Sequence, residues 1–339
     1  MIRGWSLPLL FLLILILFLP VQAHVTVSAG NNDNINAAFS VESPVKSCVI
    51  YGDLPHAGDV TYYRFSMNAG DRLSLSLMTP GNDTPLPEMI ILSPAKATGQ
   101  GSVPVQIRVP AGYAGEIISG QKPVHADYDP FSPGAVFEVA NYSRQITVTG
   151  TYYVAVVSPA DETRYSLAVG YLEGFTPAEW VLVPVNGIST YLWEGQSDIA
   201  VVAPFLAVIV FGLVLIARRE HRKGNKPSLP SWLASCAGLS YLGGAAITLV
   251  QMGRALRLTG PSPAVAATLV FAIMPVVLGL WMLRIARSPA LCSLRSRVFL
   301  ALIGALGLVF WAGLIIGPLI AFAAAAVPGW QVPPASPQE

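Results

Sequence analysis

Four long apolar segments in the second half of the chain constrain its fold more than any other feature. They cover residues 199–217, 232–252, 265–285 and 298–326. At about 1.5 Å per helical residue, each is long enough to cross the roughly 30 Å hydrocarbon core of a bilayer. Backbone polar groups inside a bilayer must bond within their own segment, which favours helices. The sequence therefore predicts an α-helical transmembrane domain of four helices over residues 199–326.

The amino-acid composition supports assignment to the membrane proteins. Hydrophobic residues make up 53% of the chain and charged residues only 12%, which is too apolar for an ordinary soluble protein. The formal net charge is +1 and no long basic run is present. Binding to nucleic acid is therefore not expected.

The N-terminus and the loop charges predict the same orientation in the membrane. Residues 1–23 have the basic residue, the apolar run and the small-residue end of a signal peptide, although an uncleaved anchor remains an alternative. Loops 218–230 and 286–297 are rich in Arg and Lys, and such loops stay in the cytoplasm. We therefore expect a multi-pass protein of the cell membrane, with the region before residue 199 and the tail 327–339 outside the cytoplasm.

The apolar segments carry small residues rather than ionisable ones. None of the four has an Asp, Glu, Lys, Arg or His near its middle, and Gln251 lies near an end. Ionisable groups inside a membrane mark proton and ion pathways, so their absence argues against a coupled transporter. Gly313 and Gly317 form a GxxxG motif, which predicts close helix packing. Packing against another helix of this chain and packing against a partner protein both remain open.

Residues 24–175 have the pattern of an all-β extracytoplasmic sandwich. Short alternating or β-branched runs are separated by Gly, Pro, Asn and Asp turns, which is typical of many short strands. Leu73, Leu75 and Leu77 share one face of such a run, as in a strand that is covered on one side only. The following residues, 176–198, are interpreted as a juxtamembrane connector.

Several local features of this domain carry more detailed predictions. The turn-rich segments 67–71 and 158–164 are interpreted as hairpin connections, because Gly, Pro, Asn and Asp supply tight turns. The run at 103–109 is interpreted as a further strand.

Three stretches of the β domain resemble a known family. They are "GDLPHAGDVTYYRFSMNAGDRLSLSLMTP" (52–80), "EMIILSP" (88–94) and "VTGTYYVAVVSPADETRYSLAVGY" (148–171). Together they are similar to the bacterial and archaeal pre-peptidase C-terminal domain. The resemblance implies a small jelly-roll-like β-sandwich of the kind appended to secreted enzymes and surface proteins, and similar to carbohydrate-binding modules.

The chain departs from this family in a Pro- and Gly-rich insertion at residues 95–147. Binding residues are found on loops more often than on framework strands, so a binding or docking surface is expected there. A loop that only caps one end of the sandwich is the alternative.

Two weak metal sites are suggested by residue type. Cleavage after residue 23 would make His24 the N-terminus, and its imidazole and amine, with His56 or His125, would suit Cu(II). Asp127 and Asp129 alternate in an extended segment and offer the oxygen ligands that Ca²⁺ takes. Ordinary polar turns explain the same residues without a metal.

No catalytic residue is identified from the sequence. The chain contains no GxSxG, HExxH, P-loop or GxGxxG motif in a suitable context. Of the three cysteines, only Cys48 is predicted to lie in the extracytoplasmic domain, since Cys236 lies in an apolar segment and Cys292 in the basic loop 286–297. No disulfide is therefore expected within that domain.

These observations favour a membrane-anchored extracytoplasmic binding or interaction module that is not an enzyme and has no cofactor. Expected partners are the lipid bilayer and either another membrane protein or a cell-surface glycan. Two alternatives remain: an accessory subunit of a membrane transport or secretion complex, and a copper-handling surface protein that uses His24.

Overall fold

The computed structural model describes residues 25–28, 30–81, 84–94, 103–104, 106–172, 174–224 and 227–327. These residues form eleven β-strands, one short 3₁₀ helix and six α-helices. The chain divides into two compact units. The β unit contains the residues up to Asp127 together with Val136–Phe175, and the helical unit contains Tyr128–Ala135 and the residues from Thr176 onward.

The β unit consists of two sheets. Its strands are β1 (Val25–Ser28), β2 (Phe39–Val41), β3 (Cys48–Leu54), β4 (Val60–Met67), β5 (Arg72–Thr79), β6 (Glu88–Pro94), β7 (Tyr113–Ile118), β8 (Asp127–Asp129), β9 (Gly134–Gln145), β10 (Gly150–Val157) and β11 (Thr163–Val169). The six-stranded sheet has the order β1-β3-β11-β5-β9-β8, and the five-stranded sheet has the order β2-β4-β10-β6-β7.

Alternating side chains from both sheets form one hydrophobic core. Leu73, Leu75 and Leu77 of β5 are at most 1% exposed, so the one-sided pattern of this strand is confirmed. Phe65 of β4 and Val154 of β10 join the same core from the five-stranded sheet. The two-sheet β domain is therefore confirmed, and its stability depends on apolar burial at about 25 cal/mol per Å² of buried surface.

The two predicted hairpins at 67–71 and 158–164 are wrong. β4 and β5 lie in opposite sheets, and so do β10 and β11. β10 is bonded to β4 and β6, and β11 is bonded to β3 and β5. The same turn residues serve a hairpin and a connection between sheets, so local turn chemistry could not distinguish them.

Two short turns with the sequences HAGD and NAGD have the same structure, one at each end of β4. The N–H of His56 donates to Oδ2 of Asp59 at 2.8 Å, and the N–H of Asn68 donates to Oδ2 of Asp71 at 2.9 Å. The glycines of the two turns have φ values of +85° and +98°, which a residue without Cβ adopts at little cost. Both carboxylates therefore stabilise turns.

The predicted strand at 103–109 is also wrong. The described part of this segment forms turns and irregular structure, in which Pro104 has no N–H to donate to a sheet. Its Ile107 is buried with Ile90 and Leu92 in a second apolar cluster, distinct from the main core. The described part of the insertion contributes β7, β8 and β9 instead. β7 pairs with β6, and β9 pairs with β5.

The helical unit contains three helices that are long and apolar enough to cross a membrane. The helices are α1 (Pro177–Trp193), α2 (Asp198–Lys223), α3 (Leu229–Thr259), α4 (Val265–Ala286), α5 (Leu294–Val309) and α6 (Ile316–Ala326). The three candidate spans are α2, α3 and α4, and they contain the first three predicted segments. The predicted connector 176–198 is largely helical, because it forms α1.

The fourth predicted transmembrane helix, at 298–326, is wrong, because the chain turns back on itself. Nε of Arg297, near the start of α5, donates to the carbonyl of Ala325, near the end of α6, at 2.6 Å. A Cβ added at Gly304 would meet the ring of Phe322 at 3.0 Å, and one added at Gly307 would meet Pro318 at 3.0 Å. α5 and α6 are therefore the two arms of an antiparallel helical hairpin, and both of its ends lie beside Arg297.

Glycine and unusual backbone angles produce the turn of this hairpin. Between the two arms, φ is positive at Trp311, Gly313, Leu314 and Ile315, so the helix cannot continue. Gly313 lies against the backbone of α3, and Gly317 lies against Tyr241 of the same helix. Both glycines of the GxxxG motif thus contact a helix of this chain.

We expect Gly313→Ala to lower the free energy of unfolding by about 1–3 kcal/mol. The new Cβ would lie 2.9 Å from the carbonyl carbon of Ser240, at a φ of +68°. Gly253→Ala is the matched control, since Gly253 of α3 has no atom within 4 Å of its added Cβ. The control should be neutral or slightly stabilising. Thermal unfolding in detergent would measure both, and equal midpoints for the two variants would contradict the hairpin geometry.

Candidate functional site

The segment Tyr128–Ala135, which lies within the insertion, is built into the helical unit. The hydroxyl of Thr268 in α4 donates to the carbonyl of Pro130 at 2.7 Å. The hydroxyl of Tyr128 lies 2.7 Å from the same Thr268 oxygen, and it acts as the donor because Thr has only one hydroxyl proton. Thr268 is fully buried, so these bonds satisfy a polar group that would otherwise be costly to bury.

Phe131 anchors this segment in an aromatic cluster. Its ring centroid lies 5.8 Å from that of Phe271 and 6.1 Å from that of Trp311, both in edge-to-face geometry. Phe271 and Trp311 are stacked, with centroids 4.4 Å apart. Such aromatic pairs contribute roughly 0.5–1.5 kcal/mol each beyond the burial of their area.

Trp180 of α1 connects this cluster to the turn of the α5–α6 hairpin. Its Nε1 donates to the carbonyl of Val309 at 3.2 Å, and its own carbonyl accepts from Nε1 of Trp311 at 2.9 Å. These two bonds satisfy backbone and indole groups beside the break in the helix. Helix α1 and the hairpin turn are therefore bonded in both directions.

A cavity of about 50 Å³ lies among these elements. Phe131, Gly187 of α1, Gly244 of α3 and Trp311 are among the residues that line it. Ligand pockets are usually about 300–1,000 Å³, so this cavity is too small for an organic ligand. The cluster is therefore better described as a packing junction than as a pocket.

The carboxylate of Asp129 lies at the edge of this junction. Its Oδ1 accepts hydrogen bonds from the N–H of Phe131 at 2.9 Å and from that of Ser132 at 3.3 Å. Burial raises the pKa of Asp129 to about 6, and the two backbone bonds act in the opposite direction. Asp129 therefore shapes the segment while having a pKa near neutrality.

Glu194, directly after α1, belongs to the same polar group. Burial raises its pKa to about 7, the bond from Gln196 and the charge of Arg254 lower it, and the charge of Asp129 raises it. Nε2 of Gln196 lies 3.1 Å from Oε2 of Glu194. Gln196 and Gln251 of α3 also exchange bonds of 2.8 and 3.0 Å. The junction thus carries two interacting carboxyl groups with raised pKa values and a satisfied amide pair.

The predicted metal ligands are only partly within the described residues. His24 lies outside the described residues, His56 is exposed in the first AGD turn, and His125 is exposed in the insertion. Asp127 and Asp129 both lie in β8, where Asp127 is exposed and Oδ1 of Asp129 accepts from the backbone N–H groups of Phe131 and Ser132. Within the described residues, no three His, Cys, Asp or Glu side chains are placed to hold a metal ion.

Sequence reasoning missed most residues of the junction. The sequence singled out Asp129 only as a possible calcium ligand and Gln251 only as a polar residue near the end of an apolar segment, and it gave no role to Phe131, Glu194 or Trp311. Two signals were present in the sequence: an aromatic residue between two prolines in "DPFSP", and an acid and an amide directly before an apolar span in "EGQ". Neither signal indicates a partner, because the contacts join segments at least 55 residues apart in the sequence.

Comparisons with known proteins assign no family: the chain matches no protein-family model and no curated protein sequence. The chemistry of the junction must therefore be read from its own residues. Two carboxyl groups with raised pKa values can take up protons near neutral pH. Among the described residues around them, no nucleophile is paired with a base.

We expect the protein to be more stable at mildly acidic pH than at alkaline pH. Because the folded protein raises the pKa of Asp129 to about 6 and of Glu194 to about 7, the stabilisation is complete below the unfolded pKa of about 4 and is lost as pH rises through these values. Asp129→Asn keeps the two backbone bonds and removes the titration. Its thermal midpoint should therefore change less between pH 5 and pH 8 than that of the unmodified protein.

Asp127→Asn is the matched control, because it removes an exposed carboxylate two residues earlier in the chain. This variant should retain the unmodified pH profile in the same thermal unfolding series. A profile for Asp129→Asn that is identical to the control would contradict the assignment of the pH dependence to the junction.

Proposed function

We propose that this chain is a membrane-anchored interaction module, in which an extracytoplasmic β unit binds a ligand or partner. The observation that carries the proposal is the path of the chain. It leaves the β unit inside the insertion, contributes Tyr128–Ala135 to the helical unit and returns at Val136. A simple tether would need only the connection at Phe175. Through this additional connection the insertion is joined by the chain to the aromatic cluster. Binding at the insertion would therefore change the environment of the aromatic residues in the helical unit.

The order of the strands supports the ligand-binding part of this proposal. β3-β11-β5-β9 in one sheet and β4-β10-β6-β7 in the other follow the pattern of a jelly roll, a fold that includes lectin domains. This arrangement agrees with the resemblance to pre-peptidase C-terminal domains, which the AGD turns and the "GTYYV" strand first suggested. We therefore favour a cell-surface glycan or a surface protein as the ligand.

The proposed membrane topology has three crossing helices and one hairpin. α2, α3 and α4 cross the bilayer, and the Arg- and Lys-rich loops 218–230 and 286–297 lie in the cytoplasm. The α5–α6 hairpin enters from the cytoplasmic side and returns to it. This arrangement moves the C-terminal tail from the extracytoplasmic side, where a fourth crossing would place it, to the cytoplasmic side.

An accessory subunit of a larger membrane complex is the second candidate. It is favoured by α2, of whose most apolar stretch only 6% is buried, compared with 61% for α3 and 44% for α4. Such a helix contacts either lipid or another protein. Recovery of the same membrane protein in stoichiometric amount from a gentle detergent would support this candidate, and a clean monomer would contradict it.

We expect an impermeant maleimide to distinguish the two sides of the membrane in intact cells. In a Cys292→Ser background, Ser119→Cys in the insertion should be labelled, whereas Ser336→Cys in the tail should react only after the cells are opened. The native Cys292, which is exposed in the loop after α4, should behave like Ser336→Cys. Labelling of Ser336→Cys in intact cells would contradict the hairpin topology and support a fourth membrane-crossing helix.

We expect the full chain in nanodiscs to bind at least one ligand on an array of glycans and peptidoglycan fragments. Binding should alter the fluorescence of Trp180 and Trp311, because both indoles contact the segment or its neighbours. Phe131→Ala should retain binding and lose the change in fluorescence. Leu182→Ala, at an exposed position of α1, is the control that should retain both. A uniformly negative array would contradict the proposed function.

A further inference from the structure

A second cavity, of about 430 Å³, lies at the end of the helical unit that carries the basic loops. Its walls are the end of α2, the start of α3, the end of α4 and the loop that follows α4. This volume lies within the range of about 300–1,000 Å³ that is typical of ligand pockets. It is formed within one unit and does not involve the junction around Phe131.

Among the described residues, the charged side chains that line this cavity are mostly cationic. Arg219, Lys223 and Arg287 line it, against a single carboxylate from Glu220. Within the described part of the chain, none of the three cations has a hydrogen bond or an ion pair, and all three are exposed. Their charges are therefore available to an anion. The planar guanidinium groups suit two-point bonding to phosphate oxygens.

The start of α3 contributes further groups that attract an anion. Ser228, the residue before the helix, lines the cavity, and its side chain makes no capping bond. The unpaired N–H groups and the partial positive charge of a helix N-terminus favour phosphate. Ser231 fixes the wall of the cavity, because its hydroxyl donates to the carbonyl of Ala286 in α4 at 2.8 Å.

The remaining lining is apolar and lies where a span meets the membrane surface. Ile216 of α2 and Trp232 of α3 line the cavity, and Trp is enriched at such membrane interfaces. One turn before the cavity, Leu215 and Val214 of α2 are 49% and 41% exposed. A molecule whose anionic group is bound among the cations and whose remaining part is apolar would therefore place that apolar part along α2.

We propose that this cavity binds the phosphate of an anionic phospholipid head group. Arg219, Lys223 and Arg287 bind the phosphate, the start of α3 supplies additional positive potential, and the acyl chains lie against α2. Basic pockets between membrane helices recognise lipid head groups by the same combination of charge and apolar contact. A soluble phosphate ester shares the head-group chemistry and lacks the acyl chains, so the two sources can be separated by experiment.

The test measures binding of fluorescent short-chain phosphatidylglycerol to the full chain in a neutral detergent. We expect saturable binding that weakens with added salt. The Arg219→Gln/Arg287→Gln double variant should bind at least about tenfold more weakly, since it removes two of the three cations that bind the phosphate. Arg222→Gln is the matched control, because Arg222 is an exposed cation of the same helix end that does not line the cavity.

A second readout uses the native Cys292, which lines the cavity and is exposed. Phosphatidylglycerol should slow its alkylation by uncharged N-ethylmaleimide, and short-chain phosphatidylcholine should not. Unchanged thermal unfolding would show that the double variant is folded. Equal binding of the double variant and the control would overturn the proposal. Equal affinity for glycerol phosphate and phosphatidylglycerol would contradict the proposal that the bound phosphate belongs to a lipid.

Discussion

The helical unit depends on one constraint: backbone polar groups inside a bilayer have no water to bond with. The turn between α5 and α6 interrupts the hydrogen bonding of a helix within an apolar stretch of the chain, so its backbone groups need partners from the protein. Phe310 and Ala312 in this turn are at most 1% exposed, and Trp180 bonds to the backbone on one side of it. α1 and the aromatic cluster therefore stabilise the turn by covering it and by bonding to its backbone.

The apolar segments were predictable from the sequence, but the number of membrane-crossing helices that they form was not. Length and hydropathy are the same for one long helix over 298–326 and for two shorter helices that fold back. The difference is decided by local backbone angles around Gly313 and by the bonds of Arg297 to the end of α6. Small residues such as Gly304 and Gly307 allow the arms to approach, yet the same residues also occur in straight packed helices.

In the β unit, the sequence pattern specifies the strands and their buried faces but not the pairing of the strands. Alternation identified β5 and its buried face, because a period of two residues reports burial directly. It could not identify the sheet to which each strand belongs, since β10 and β11 take all their partners from distant parts of the chain. For the junction, the insertion was recognised from its composition, while Glu194 and Trp311 depend on contacts that no local signal records.

The placement of consecutive strands in opposite sheets also determines the order in which the protein can assemble during synthesis. β4 finds a long antiparallel partner only when β10 has been made, and β3 and β5 are joined only through β11. Pairings between residues so distant in sequence form slowly. Nearly the whole β unit must therefore leave the ribosome before its sheets close. Tyr128–Ala135 can reach its final packing only later, because α4 and Trp311 are synthesised after every strand.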